Sequence, residues 1–160
     1  MKYIVRPSTE QDLPAVLELM REFAEYEKLA AYLEITESKL HEAMFGRNGF
    51  VEGLMAINDG ERAGYAIFYP CFSTFRGQKG FFLEDLYVSE KHRGKGLGEL
   101  MLRKIAVLAR SRGFERIDFQ VLEWNKSAIG FYEKLGAERA DDERHLKLTD
   151  GAFARLAAVA

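Results

Sequence analysis

The run Arg93-Gly94-Lys95-Gly96-Leu97-Gly98 sets three glycines at alternate positions behind an arginine. Glycine reaches positive φ and carries no Cβ, so successive backbone N–H groups in such a run can converge on one point. The run follows the apolar segment Phe81–Val88 and precedes Leu97, Leu100, Met101, Ile105 and Leu108, spaced as one face of a helix. A helix start offers unpaired donors and a partial positive charge. Together these features predict a cradle for a diphosphate, with Arg93 and Lys95 as countercharge and His92 as a weaker contributor. A phosphate-bearing cofactor, and hence an enzyme, is the expectation. The plainer alternative is a glycine-rich turn that serves close packing.

The elements that must hold this loop follow from periodicity and punctuation. Tyr3–Arg6 reads as a strand ended by Pro7, after which Ser8 or Thr9 can cap a helix bearing Leu13, Val16, Leu17, Met20 and Ala24. Pro14 fits only near that helix start. A second helix is expected after Thr36, with Leu40, Met44 and Phe45 on one side and Gly46 as its stop. Between them, Tyr26–Ile35 is a loop rich in acids and aromatics that neither helix needs for its core. Val51–Ile57 and Arg62–Tyr69 read as strands joined by Asn58-Asp59-Gly60-Glu61, a hairpin signal. Phe72–Lys79 reads as a loop and Phe81–Val88 as a further strand. Gly113 ends the central helix, and Arg116–Leu122 forms a strand. Ser127–Leu135 forms a short helix capped by Gly136, Leu146–Leu148 a last strand, and Asp150–Ala158 a helical turn or two. The order predicts one mixed α/β domain over residues 1–160, with a mostly antiparallel central sheet flanked by helices.

Bulk properties agree with an ordinary folded enzyme. The 160 residues are 48% apolar and 30% charged, enough to bury a core without metals or disulfides. The formal charge of −2, from 25 acids against 23 bases, argues against a dominant polyanion-binding surface, so no nucleic-acid partner is expected. Cys71 is the only cysteine, which excludes an intramolecular disulfide and a cysteine-rich zinc site. Met1–Pro7 reads as a strand, not as a leader, and no stretch approaches bilayer-spanning length. A cytoplasmic location without membrane association is expected. Asn125-Lys126-Ser127 matches a glycosylation acceptor, which is idle without secretion.

The glycine loop fits neither common nucleotide motif. A dinucleotide fingerprint follows the first strand of a βαβ unit with G-x-G-x-x-G spacing, whereas this loop follows a central strand with other spacing. A P-loop needs Ser or Thr after its lysine, and Gly96 follows Lys95. Val88–Gly98, with Arg93-x-x-Gly96-x-Gly98 at its heart, instead resembles the acetyl-coenzyme A signature of the GNAT superfamily of N-acetyltransferases. Phe82–Val88 resembles the strand before that signature, and Glu123–Ala137 the later segment in which an asparagine precedes a tyrosine-bearing helix. A narrower likeness, to the diamine (spermidine/spermine) acetyltransferases and their thialysine-acetylating relatives, is carried by Glu25-Tyr26-Glu27, Thr36–Leu40, Phe45-Gly46, Leu83-Glu84-Asp85 and Glu123-Trp124-Asn125. Those relatives carry a longer acidic, tryptophan-containing stretch where this chain has only Ala140–His145.

The resemblance implies the GNAT acyl-coenzyme A fold and a site. Amides from Arg93 through Gly98 (Arg93, Gly94, Lys95, Gly96, Leu97, Gly98) would hold the diphosphate of acetyl-coenzyme A. Leu86, Val88 and Asn125 would pair with its pantetheine arm, a bulge in the strand before the loop would open a slot for that arm, and no metal is implied. Asn125 can equally be an N-cap. Glu84 is implied as the group that takes a proton from the incoming amine, directly or through water, because a lysine-like amine is mostly charged at neutral pH. Tyr132 is implied as the acid that protonates the departing thiolate, and it also touches the cofactor. Phe131 beside it is expected to face elsewhere, toward the core. Tyr26, Glu27, Glu84, Asp85, Asp142 and Glu143 would bind the cationic substrate, the acids through charge and Tyr26 by stacking or a cation–π contact. Relatives of this kind are homodimers, which is the expected assembly.

The expected activity is transfer of an acetyl group from acetyl-coenzyme A to a primary amine of a diamine, polyamine or lysine-like amino acid by direct attack. Two alternatives remain open at the level of sequence. One is acetylation of a protein or peptide amine or of an aminoglycoside; the other is a non-catalytic acyl-coenzyme A-binding module.

Overall fold

The computed structural model describes residues 2–158; Met1, Val159 and Ala160, part of the expected domain, lie outside the described residues. Two compact units are resolved, one running to Gln120 and the other beginning at Val121.

In the first unit, β1 (Tyr3–Pro7) leads through a 3-10 turn at Glu10–Asp12 into α1 (Leu13–Tyr26). Asp12, only 1% exposed, fixes that entry. Its carboxylate accepts from Arg6 at 2.5 and 3.0 Å and from the Thr9 backbone N–H at 2.8 Å. The Arg6 hydrogen bonds hold the carboxyl at about 2, against the opposing effect of burial. Leu13, Val16, Leu17, Met20 and Ala24 are buried, as their spacing predicts, and Pro14 sits in the first turn. α2 (Glu37–Phe45) is capped by Thr36, whose hydroxyl accepts from the Lys39 N–H at 3.2 Å. Gly46 ends it at φ −68°, not in the left-handed region; a Cβ there would stand 2.5 Å from the Glu42 carbonyl, so close approach requires the glycine.

β2 (Glu52–Asn58), β3 (Glu61–Ser73) and β4 (Gln78–Val88) form an antiparallel meander beside β1, and β5 (Arg116–Phe119) joins β4 in parallel. Asp59 and Gly60, with φ of 49° and 84°, make the tight β2–β3 turn that Asp-Gly predicts. The loop expected over Phe72–Lys79 is corrected: Phe72 pairs with Lys79 and Ser73 with Gln78, leaving residues 74–77 as the turn. Pairing extends the hairpin through residues whose polar and glycine content reads locally as loop. β5 is shorter than the expected Arg116–Leu122 and ends at Phe119.

α3 (Leu97–Ser111) buries Leu97, Met101, Ile105 and Ala109 at four-residue spacing, and Gly113 follows it at φ 73°. One core joins α1 and α2 to Met55, Tyr65, Ile67 and Tyr87 of the sheet. Strand alternation sends Phe68 and Phe81 to the other face, where Phe81 meets Phe68 at 4.8 Å and Phe114 at 5.1 Å, both edge-on.

The second unit holds α4 (Lys126–Lys134) and α5 (Asp150–Ala158). The strand expected at Leu146–Leu148 does not form. Apolar alternation gave that reading, but no strand of the unit pairs with it, and Leu146 and Leu148 are 87% and 62% exposed. No helix among the described residues is long and apolar enough to cross a membrane.

Candidate active site

The sheet register breaks at one place in β4. Ile67 faces Asp85 and Phe68 faces Leu83, so Glu84 is an extra residue with no partner across the ladder. In a regular strand Glu84 and Asp85 would point to opposite faces. The bulge cancels that alternation, and both acids line one cavity. Pairing between β4 and β5 also stops here, at Leu83–Phe119, so among the described residues Glu84–Val88 have no strand neighbour on that edge. The bulge is the feature the family resemblance implies for an acyl-arm slot, and the divergence of β4 from β5 widens the gap beside it.

The cavity has a volume of about 420 Å³. Its walls come from α1, the segment after it, α2, and strands β3 and β4, and most are apolar: Met20, Phe23, Leu33, Ile35, Leu40 and Ile67 among them. Its polar groups are Glu27, Glu84, Asp85 and the hydroxyls of Tyr32, Tyr65 and Tyr69. Tyr65 donates to Asp85 Oδ2 at 2.9 Å, and Tyr69 donates to Glu84 Oε2 at 3.1 Å. Burial pushes the Asp85 carboxyl up to about 6; the Tyr65 hydrogen bond opposes the shift, and the charges of Glu84 and Glu27 add to it. Glu27 is raised by burial alone. Glu84 is exposed at the mouth. A preformed apolar cleft with a few convergent polar groups is the usual form of a small-molecule site.

The glycine loop lies between β4 and α3. Gly94 and Gly96 have φ of 71° and 78°, and a Cβ at either would meet no atom within 4 Å. Glycines kept for close packing would have neighbours there, so positive φ and open space are what these two provide. No backbone bond outside the regular elements engages the Gly94, Lys95 or Gly96 N–H among the described residues. The N–H groups of Leu97 and Gly98 open α3, where no preceding turn can accept from them. These groups suit the diphosphate of coenzyme A. The Arg93 N–H, by contrast, is taken by the Glu90 carbonyl at 3.2 Å. The Arg93 guanidinium is also engaged: Nε donates to the Val88 carbonyl at 2.9 Å, and Nη2 to the Tyr87 hydroxyl at 3.3 Å. It lies 4.6 Å from the Tyr26 ring centroid, so the cation over Tyr26 in this structure is Arg93. Lys95 Nζ donates to the Lys91 carbonyl at 2.7 Å. Leu86 pairs with Ala66 and Val88 with Gly64 in the β3–β4 ladder.

Four predicted site residues belong to the second unit. Asn125 is buried and caps α4, accepting from the Ala128 N–H at 3.2 Å. Tyr132 is half-buried on α4. Phe131 is not a core residue as expected: it is half-buried and meets the Tyr132 ring edge-on at 5.0 Å. Asp142 and Glu143 are exposed in a turn closed by the Glu143 N–H on the Ala140 carbonyl at 3.1 Å.

Sequence reasoning missed Tyr65, Tyr69 and the apolar lining of the cavity. A usable signal existed, because Tyr65, Ile67 and Tyr69 alternate on one face of β3, opposite the Leu83-Glu84-Asp85 run. Ile35, assigned to a loop outside the core, packs against it. Among the described residues no group of three His, Cys, Asp or Glu could hold a metal ion.

The chain belongs to the acetyltransferase (GNAT) family, whose model matches residues 13–137. It is therefore an acetyl-coenzyme A-dependent N-acetyltransferase, with a mixed antiparallel and parallel sheet flanked by helices. It is 37% identical over 142 residues to the thialysine N-epsilon-acetyltransferase of Sus scrofa, covering 84% of this chain and 83% of that protein. It is 37% identical over 97 residues to the L-ornithine N5-acetyltransferase of Arabidopsis thaliana, covering 61% of this chain and 42% of that one. Among solved structures, an integron cassette protein from the mobile metagenome of V. cholerae superposes with a TM-score of 0.81 at 20% identity, covering 98% of both chains.

Proposed function

We propose that this enzyme, acting as a single domain over residues 1–160, acetylates a primary amine of a small cationic molecule: a diamine, a polyamine or a lysine-like amino acid. The observation that carries the reading is the bulge that turns Glu84 and Asp85 into one cavity beside Glu27. Three carboxyl groups at one side of an apolar cleft attract an ammonium and can relieve it of a proton. The thialysine and ornithine relatives, named for amines at the end of an amino-acid side chain, support the same class.

In this reading the amides of Gly94–Gly98 hold the diphosphate of acetyl-coenzyme A, and the free edge of Leu86–Val88 receives its arm together with Asn125. Glu84 serves as the base at the mouth that carries the amine's proton out to solvent, directly or through water, and Tyr132 protonates the departing thiolate. Tyr26, Glu27, Asp85, Asp142 and Glu143 contact the substrate. A homodimer belongs to the same proposal and is supported by the exposed apolar side chains Leu146, Leu148, Phe153 and Leu156. A cytoplasmic location is supported by the free thiol of Cys71.

The test is thiol release from acetyl-coenzyme A with putrescine, spermidine, lysine and thialysine. Turnover with at least one of them is expected, and Tyr132→Phe should lower kcat far more than coenzyme affinity. Glu84→Gln should lower amine acetylation and change its pH dependence. Turnover only with peptides or aminoglycosides would replace the substrate class. Coenzyme binding without thiol release from any amine would leave a non-catalytic binding module.

A further inference from the structure

We infer that Asp85 is the first acceptor of the substrate's proton, held in place for that task by the buried hydroxyl of Tyr65. The inference rests on the amine-acetylation reading above and assigns a role within the same cavity. Adjacent acids in a strand ordinarily divide between two faces, but the bulge keeps both on the substrate side and at different depths. Glu84 is exposed at the mouth, whereas Asp85 beside it is half-buried. Tyr65 is fully buried, and its hydroxyl donates to Asp85 Oδ2 at 2.9 Å. One carboxylate oxygen is thereby occupied, leaving Oδ1 as the one to meet an ammonium.

The groups around Asp85 are of one kind. Glu27 approaches from the end of α1, Tyr32 from the segment after it, Tyr65 and Tyr69 from β3, and Glu84 from β4. Tyr87, two residues on, is engaged by Glu22 and Arg93. A proton acceptor works best when its affinity for the proton lies near the working pH, and burial beside other acids moves Asp85 in that direction. The ammonium gives one N–H proton to Asp85 Oδ1, leaving a neutral amine and a neutral carboxylic acid. The nitrogen lone pair then forms the N–C bond as the C–S bond of the thioester breaks. The second proton shed by nitrogen balances the one gained by the thiolate, and the proton on Asp85 leaves to solvent through the mouth where Glu84 stands.

The experiment is the pH profile of kcat/KM, using whichever of putrescine, spermidine, lysine and thialysine is acetylated fastest. Wild type is expected to lose activity on the acid side as Asp85 becomes protonated. Asp85→Asn should lower kcat/KM at neutral pH by about 100-fold and abolish that acid limb. Tyr65→Phe removes only a hydroxyl. It should leave coenzyme affinity unchanged and move the limb about one pH unit upward, because the lost hydrogen bond favoured the ionised form. A merely structural tyrosine would lower activity without moving the limb. An unmoved limb in Tyr65→Phe, or an Asp85→Asn enzyme that keeps the limb, overturns the inference while wild-type turnover upholds the wider reading. Wild type silent toward all four amines overturns both.

Discussion

Arg93 Nε lies 2.9 Å from the carbonyl oxygen of Val88, so the residue that opens the glycine loop is tied back to the strand it has just left. The same guanidinium reaches the Tyr87 hydroxyl and covers the Tyr26 ring. A lysine can supply the charge but not the fork or the planar stack. Arg93→Lys should therefore weaken coenzyme A binding by about tenfold, close to the loss in Arg93→Ala, as read by calorimetry. Recovery of wild-type affinity in the lysine variant would reduce Arg93 to a countercharge.

Gly96 sits at φ 78° with open space where a Cβ would stand. Gly60, in the β2–β3 turn, has φ 84° and equally open surroundings. Alanine at either position carries the same left-handed strain, about 1 kcal/mol or somewhat more, and should lower Tm by a few degrees. Only Gly96→Ala places a methyl group where a diphosphate would approach the amides. Its coenzyme affinity should fall by about tenfold or more, while Gly60→Ala keeps full affinity. Equal affinities in the two variants would remove the loop from the binding role.

What the chain discloses about itself follows the range of the interactions. Thr36 before α2, Asp59-Gly60 in the hairpin, Gly113 after α3 and the glycine loop are local signals, and each stands where its neighbours alone predict. The cavity depends on residues far apart in sequence, and nothing near Tyr65 announces that its hydroxyl will meet Asp85 twenty positions later. Phe81–Val88 reads as a plain apolar strand; family likeness, not periodicity, supplied the expectation of a bulge. Leu146–Leu148 shows the opposite failure, a correct strand pattern with no strand beside it in its unit.

Asp12 offers a test of how β1 is fastened to α1. Its folded pKa of about 2 lies below the ordinary 3.8, so its contribution is present above pH 4 and is lost as pH falls toward 2. Asp12→Asn should lower unfolding free energy at pH 7 by about 2 kcal/mol, with the difference shrinking below pH 3. Urea titrations at the two pH values measure it.

Asp85 predicts the reverse sign. Its folded pKa of about 6 lies above 3.8, so the folded state favours the proton, and stability declines as pH rises through 6. Asp85→Asn should raise stability at pH 7.5 by about 3 kcal/mol and by almost nothing at pH 4, read as a gain of several degrees in Tm. A destabilised variant at pH 7.5 would show that the carboxylate is not under strain there.

The extra residue in β4 has a consequence for descent. Past the bulge the ladder resumes as though one residue were absent, with Leu86 opposite Ala66 and Tyr87 opposite Tyr65, so loss of a single codon at Glu84 or Asp85 would restore an unbroken strand. Tyr87 would keep Phe23, its stacking partner at 5.1 Å, and the core behind it would stand unchanged. Only the second of the two neighbouring acids would vanish. A descendant that abandons amine chemistry is therefore free to shed the kink without disturbing the sheet.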